Sequence, residues 1–141
     1  MNEQDADIAA ILGGMTRVAI VGISADPSRP SNEVAAYLLS QGFNVALVNP
    51  HLDAVFGIPC YPDLQSVPGT VEIVDVFRRS EEAGAVVDDA IAIKARAVWM
   101  QEGVIDEDAA KRARAVGLVV VMNRCMLKEH ARRAAADPGF A

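Results

Sequence analysis

Four arginines, three amide side chains and a group of hydroxyls stand where this chain leaves its apolar runs, and together they have the chemistry of an anion site. Arg29, Arg78, Arg79 and Arg124 supply fixed positive charge, Asn49, Gln101 and Asn123 supply amides, and Ser24 and Ser31 supply hydroxyls beside Gly22, Ile23 and Pro30. A guanidinium stays charged at all ordinary pH and presents paired donors that match phosphate oxygens. One loop arginine is ordinarily a solvated residue; recurrence after successive runs raises the functional reading above that default. The chain has 141 residues with 19 acidic against 13 Lys and Arg, a formal charge of −6. An anionic ligand must therefore be met by local charge against the field of the whole molecule. The same balance speaks against a nucleic-acid partner and an anionic membrane surface.

Five β-branched apolar runs precede these residues, at 17–23, 44–48, 72–77, 97–100 and 118–122. They are continuously apolar rather than alternating, the pattern of parallel strands covered on both faces. Helical stretches fall between and around them: 7–12, 32–40 with Ser31 as expected N-cap, 81–95 with Ser80 as expected cap and Lys94 on its apolar face, one beginning at Asp106, and 127–135. Gly42 stands where a helix ends in a left-handed residue. The stretch 51–70, with Pro59, Pro62, Pro68, Gly57 and Gly69, reads as ordered loop with a short helical turn near 63–66. Strands alternating with helices, joined by right-handed crossovers, give an α/β fold. It is expected to be a three-layer, doubly wound, Rossmann-like parallel sheet of five strands in the order 3-2-1-4-5, one domain over residues 1–141.

In such a sheet ligands bind beyond the carboxyl ends of the strands. The turn Gly22-Ile23-Ser24 after the first run, followed by Arg29-Pro30-Ser31 at a helix start, suits a phosphate held by free N–H groups and the helix dipole, with Ser24 and Ser28 as added donors. A nicotinamide dinucleotide site would need G-x-G-x-x-G and an acidic residue after the second strand. Here Ser24 and Pro27 occupy the second and third glycine positions and the second run ends in Asn49-Pro50-His51. The interval from Gly22 to Asn49 also exceeds the roughly 20 residues of that fingerprint. No P-loop sequence occurs. His51 and His130 lack a nucleophile partner, and His130 reads as a surface residue near a helix C-terminus. Cys60 and Cys125 lack metal-site spacing and are expected as reduced thiols.

Val21-Gly22-Ile23-Ser24, Arg29-Pro30-Ser31, Val48-Asn49-Pro50, Val74-Asp75-Val76-Phe77-Arg78-Arg79, Val98-Trp99-Met100-Gln101-Glu102-Gly103 and Asn123-Arg124-Cys125-Met126 occur in that order over nearly the whole chain. In this it resembles the stand-alone CoA-binding protein family, which is similar in fold to the CoA-binding domain of succinyl-CoA synthetase and of ADP-forming acyl-CoA synthetases. Glu102 departs from a position the family often fills with a neutral residue. The resemblance implies coenzyme A at the first loop: Gly22, Ile23 and Ser24 on phosphate or ribose, Arg29, Pro30 and Ser31 completing the cradle, Asn49 and Pro50 bordering the adenosine, and Phe77, Arg78 and Arg79 as the facing wall. His51, Gln101, Asn123 and Arg124 complete the set. An arginine or His51 in place of an acidic hook suits a phosphorylated ribose.

The resemblance further implies a binding module for CoA or an acyl-CoA that performs no chemistry by itself, since the phosphorylated histidine and nucleotide-grasp parts of the synthetases reside in other domains. The alternatives are an accessory subunit of an acyl-CoA synthetase and a nicotinamide-dependent oxidoreductase. Cys125, beside Arg124, raises a mixed disulfide with the CoA thiol, against the plainer alternative of a buried inert cysteine. The acidic N-terminal stretch and the lack of a membrane-length apolar run lead to expecting a cytoplasmic protein, with a homodimer or an acyl-CoA enzyme as possible partner.

Overall fold

A strand with no polar row must be covered on both faces, and the helices here are apportioned to do so. The computed structural model describes residues 4–136. In chain order they form α1 (Asp5–Gly14), β1 (Arg17–Val21), α2 (Pro30–Ser40), β2 (Asn44–Val48), β3 (Ala54–Val55), β4 (Ile58–Tyr61), β5 (Ile73–Val76), α3 (Ser80–Ala92), β6 (Ala97–Met100), α4 (Glu107–Ala115), β7 (Val119–Val121) and α5 (Met126–Ala136). A 3-10 turn occupies Leu64–Ser66, where the short helical turn was expected. Alternation along the strands divides the core. Val18, Ile20, Leu47, Ile73 and Trp99 pack with Ile8, Ile11, Leu38 and Met126 from α1, α2 and α5. Ala19, Val48, Val74 and Val76 pack with Ala83, Val87, Ala90 and Ala113 from α3 and α4.

The sheet is Rossmann-like and α/β as expected, but it has seven strands in the order β3-β4-β2-β1-β5-β6-β7, not five in the order 3-2-1-4-5. Every pairing is parallel except β3 with β4. The third apolar run, now β5, lies beside β1, because the place outside β2 is taken by β4, with Leu47 opposite Cys60 and Val48 opposite Tyr61. β4 comes from the stretch read as loop. Its Pro59 stands opposite Ala54, but because the next residue, Cys60, donates its N–H toward Asp53, the Pro59 nitrogen points to the other side, where the pairing with β2 begins only at Cys60 and a missing N–H is tolerated. The β3–β4 turn passes through Phe56 and Gly57, both at positive φ (57° and 70°), the geometry of a tight hairpin that Asn-Gly or Asp-Gly would have announced more clearly. Because β1 now has β2 on one side and β5 on the other, the crevice opens between the ends of β1 and β5.

Three local expectations also change. Ser31 and Ser80 do not cap their helices. Pro30 fills the first turn of α2 instead, where its missing N–H costs nothing, and each serine reaches sideways. The Ser31 Oγ accepts from the Ser24 N–H at 2.9 Å, while the Ser80 Oγ donates to the Gly103 carbonyl and accepts from the Ile105 N–H at 3.0 Å. Lys94 lies past the end of α3 at φ 61°, exposed, closing that helix as Gly42 closes α2. His130 is buried rather than on the surface, hydrogen-bonded to the Tyr37 Oη at 2.7 Å and packed edge-on against Phe43. Burial pushes its imidazole below the usual range.

Asp75, on the central strand β5, is wholly buried between Ile20 and Trp99, and among the described residues neither carboxyl oxygen has a partner. Desolvation raises its pKa well above the ordinary carboxyl range. Below about pH 4 both the folded and the unfolded chain hold this proton. Above that, the unfolded chain ionises while the folded one keeps the proton, so stability falls as pH rises, by at most about 1.4 kcal/mol per unit, until the folded-state pKa is reached. Asp75→Asn removes that slope. Its melting temperature is expected to gain on the parent's as pH rises above about 4 in thermal unfolding; a gap that stays constant with pH would show that Asp75 does not carry a raised pKa.

Candidate functional site

The carboxyl ends of β1 and β5 are drawn together because position 22 has no side chain. Gly22 sits at φ 96° and donates to the Val48 carbonyl at 3.0 Å, and the Phe77 N–H donates to the Val21 carbonyl at 2.9 Å. A Cβ at position 22 would collide with the Phe77 carbonyl oxygen and lie 3.1 Å from its carbon. Any side chain there would force the two strand ends apart.

From Gly22 the chain forms a loop held by its own short-range bonds. Ser24 is tied to the start of α2 twice, through the Ser31 Oγ and by the Asn32 side-chain amide, which donates to the Ser24 carbonyl at 2.9 Å. Asp26 donates its N–H to the Ser24 Oγ and accepts from the Ser28 N–H and hydroxyl at 2.9 and 2.8 Å. Those hydrogen bonds, with Arg29 nearby, hold the Asp26 carboxyl below its usual range. Ser28 is thus consumed inside the loop and does not face the cleft, contrary to its expected donor role. Among the described residues the N–H groups of Ile23, Ala25 and Ser31 have no protein acceptor, and all three residues line the cleft. Two loop N–H groups and one in the first turn of an 11-residue helix make the kind of donor set an anion requires.

The cleft encloses about 850 Å³ along the carboxyl edge of the sheet. Twelve of the fifteen residues singled out from the sequence line it: Gly22, Ile23, Ser24, Arg29, Pro30, Ser31, Asn49, His51, Phe77, Arg78, Arg79 and Gln101. Pro50 does not. Asn123 and Arg124 face a smaller cleft of about 220 Å³ shared with Gln4 and Arg114. Their work is structural: the Asn123 Oδ1 accepts from the Gly103 N–H at 2.8 Å, and the Arg124 carbonyl accepts from the Trp99 indole at 2.9 Å. Asn49 lines the cleft, yet its side chain is also spent internally, donating to the Ile23 carbonyl at 2.8 Å and accepting from the His51 N–H at 2.8 Å. It holds the two loops together and has little left for a ligand.

Charge is distributed unevenly over the walls. Arg79 is paired with Glu82 at 2.7 Å and stands 3.8 Å from Glu81. Arg29 and Arg78 have no ion pair among the described residues, so they are the free cations of the cleft. Glu102, which would oppose an anion, is answered by the Lys128 ammonium at 3.0 Å. Leu52, Val104, Asp26 and Gly103 also line the cleft. Leu52 and Val104 were missed because each lies several residues past its strand, and an aliphatic residue in a loop carries no chemical signal. A separate cleft of about 470 Å³ opens near Met15, Lys94 and Arg96 at the other end of the strands, where Arg96 is already bound to Glu72 at 3.0 Å. Among the described residues there is no cluster of three metal-ligating side chains and no helix long and apolar enough to cross a membrane.

Comparison with known proteins agrees with this geometry. The curated protein YneT of Bacillus subtilis (strain 168) is 33% identical over 130 residues, covering 92% of this chain and 96% of its own length. A protein from Pyrococcus horikoshii OT3 superposes with TM-score 0.87 at 40% identity, over 91% of this chain and 90% of that one. The dinucleotide-forming acetyl-coenzyme A synthetase 1 of Ca. Korarchaeum cryptofilum, solved with phosphate and ADP, matches with TM-score 0.72 at 27% identity, over 81% of this chain but 27% of that much longer one. The family described as CoA binding domain matches residues 16–131, and this chain belongs to it.

Proposed function

We propose that the protein binds coenzyme A or an acyl-CoA in the cleft at the carboxyl edge of its sheet and performs no chemistry by itself. The observation that carries this reading is the meeting of unpaired N–H groups, in the β1–α2 loop and at Ser31 in the first turn of α2, with the unpaired guanidiniums of Arg29 and Arg78 in one cleft. Coenzyme A carries a pyrophosphate and a ribose phosphate, so it needs more than one cationic or N–H site, and the cleft has them. Charge-assisted hydrogen bonds in a partly dry site are about twice as strong as neutral ones, which lets local donors overcome a net charge of −6. A nicotinamide dinucleotide is served less well, because Asn49 replaces the acidic hook and is already hydrogen-bonded on both sides.

A second reading, an accessory subunit of an acyl-CoA synthetase, draws on the likeness to the acetyl-coenzyme A synthetase over about a quarter of its length. On either reading the acyl-CoA chemistry is completed by another polypeptide, and a cytoplasmic setting among acyl-CoA enzymes follows from the ligand.

Thermal unfolding with CoA, acetyl-CoA, NAD, NADP and ATP tests the ligand class. A ligand at 100 times its Kd stabilises by about 2.7 kcal/mol, which for a chain of this size moves the midpoint by several degrees. CoA or acetyl-CoA is expected to give that shift; a response to NAD or NADP alone overturns the reading. Calorimetry of single substitutions separates the arginines. Arg78→Ala is expected to weaken CoA binding by about 10- to 100-fold, the worth of a charged hydrogen bond, with the larger loss at low salt. Arg79→Ala, whose charge is neutralised by Glu82, is expected to change it by less than about fivefold. Equal effects from both would contradict the assignment of Arg78 as a free cation.

A further inference from the structure

The cleft has two chemically different ends. It follows the carboxyl edge from β2, where His51 and Leu52 stand, across β1 with its N–H groups and Arg29, past Phe77 on β5 and Gln101 and Val104 after β6, to Cys125 at the start of α5. Phosphate chemistry is concentrated at β1. Beyond Arg78 and Arg79 the walls turn to Phe77, Val104 and a thiol. Three strand spacings separate β1 from β7, roughly 14 Å at about 4.8 Å each. A pantetheine arm, with the backbone length of about four extended residues, spans about 13–14 Å. A pantetheine arm is thus long enough to reach Cys125 from phosphates held at the β1–α2 loop.

Cys125 is 8% exposed and lines this cleft, so the cleft is its route to solvent. It precedes α5 and its carbonyl accepts the helix's first bond, from the Glu129 N–H at 3.0 Å. Beside it Gln101, 5% exposed, gives its Oε1 to the Met126 N–H at 3.2 Å. That bond fixes the amide and leaves the Gln101 Nε2 group, among the described residues, with no acceptor at the cleft wall. An amide fixed at its oxygen end, whose donor end opens onto the cleft with no protein acceptor, is held ready for an acceptor on a ligand lying there. A pantetheine arm carries amide carbonyls of the kind this donor requires. Cys60, by contrast, is half-buried on β4, away from the cleft, and burial pushes its thiol up.

We propose that Cys125 is a thiol–disulfide exchange site for oxidised coenzyme A, with Gln101 as the residue that positions the arm. This rests on the CoA binding proposed above and amends that reading at one point, adding a single chemical step, at the thiol, to what is otherwise a binding module. The Cys125 thiolate attacks one sulfur of CoA disulfide; the Sγ–S bond forms as the S–S bond breaks. One half of the reagent remains attached to the protein and the other leaves as a thiolate that takes a proton from water. The oxidising equivalent passes from the small disulfide to the protein, so no further oxidant is needed. Glu102 and Gly103 at that rim are exposed, which leaves the departing half in solvent. A carrier of this kind would take up oxidised CoA and return the attached half as free CoA when a second small-molecule thiol attacks the Cys125 Sγ. The protein–CoA S–S bond breaks as the new one forms, and a further thiol then releases the Cys125 thiolate as a small disulfide forms.

Intact-mass analysis of the reduced protein with CoA disulfide, followed by peptide mapping, tests the proposal, with glutathione disulfide in a parallel reaction and calorimetry of CoA binding on the same sample. One reversible CoA adduct on Cys125 is expected, at least tenfold faster than the glutathione adduct and slowed by excess acetyl-CoA. Cys125→Ser should abolish the adduct yet retain CoA binding, and Cys60→Ser should change neither. Gln101→Leu should slow the CoA reaction while leaving the glutathione rate unaltered, a difference that a general loosening of the fold would not produce. CoA bound in calorimetry with no adduct, an adduct mainly on Cys60, or equal rates with both disulfides would overturn the exchange site while leaving the binding function standing. Absence of CoA binding would overturn both.

Discussion

The close approach of β1 and β5 at Gly22 and Phe77 is the constraint on which the rest of the binding edge depends. Backbone atoms meet where any Cβ would collide with the Phe77 carbonyl, so glycine is required there both for the contact and for its positive φ. This junction is also where the sheet's connections diverge, with β2 on one flank of β1 and β5 on the other. The turn at Gly22 carries the chain into the Ser24 loop, and the loop is fixed by bonds to Ser31, Asn32 and Asn49 rather than by a ligand. The cradle is thus formed before anything binds, so little ordering entropy has to be offset on binding.

Preorganisation resolves the conflict between an acidic chain and the anionic ligand proposed for it. The long-range field of a molecule carrying −6 is screened within about 8–10 Å at ordinary salt. The cleft acts inside that distance, through N–H groups that cannot be neutralised and through Arg29 and Arg78, which no carboxylate occupies. Two acidic residues near the cleft are answered by cations, Glu82 by Arg79 and Glu102 by Lys128, while Asp26 stays ionised and turns its carboxyl to the Ser28 N–H and hydroxyl. What the site sees is therefore set by which charges are already paired, and composition alone does not determine that.

The same distinction separates what could be read from the sequence from what could not. Buried parallel strands were readable because a continuous β-branched run has one stable use, and the edge residues were readable because they follow those runs directly. β3 and β4 were not, since prolines and glycines dominate 51–70 and the hairpin turn at Phe56-Gly57 lacks the usual turn residues. Missing β4 also misplaced β5, because nothing else was available to fill the position outside β2. Within the site, residue type identified Arg78 and Arg79 equally, while only the structure shows Glu82 claiming one of them. Asn123 and Arg124 follow β7 as regularly as Gln101 follows β6, yet they turn to the far side. Side-chain direction beyond a strand end depends on the loop, as the positive φ of Asn123 illustrates. The serines read as helix caps were right in their need for a partner and wrong about which one; both bind the neighbouring loop.

Asp75 stands outside all of these economies. A fully buried carboxyl without a partner weakens the fold, and its neighbours Ile20 and Trp99 offer it nothing. Two residues on, along the same face of β5, lies Phe77 on the cleft wall, and next to Trp99 along β6 the same alternation leads to Gln101. The layer immediately beneath the binding edge thus contains an unsatisfied acid, and the layer at the edge contains an amide whose donor end, among the described residues, has no protein acceptor. Hydrophobic packing alone would have filled both positions with aliphatic side chains, as it does at Ile20 and Ile73 on the same face. A carboxyl without a partner and an amide with a spare donor, in two adjacent layers beside the unpaired N–H groups of the cradle, extend the unspent bonding capacity of this face to where the proposed ligand would pass beyond its phosphates.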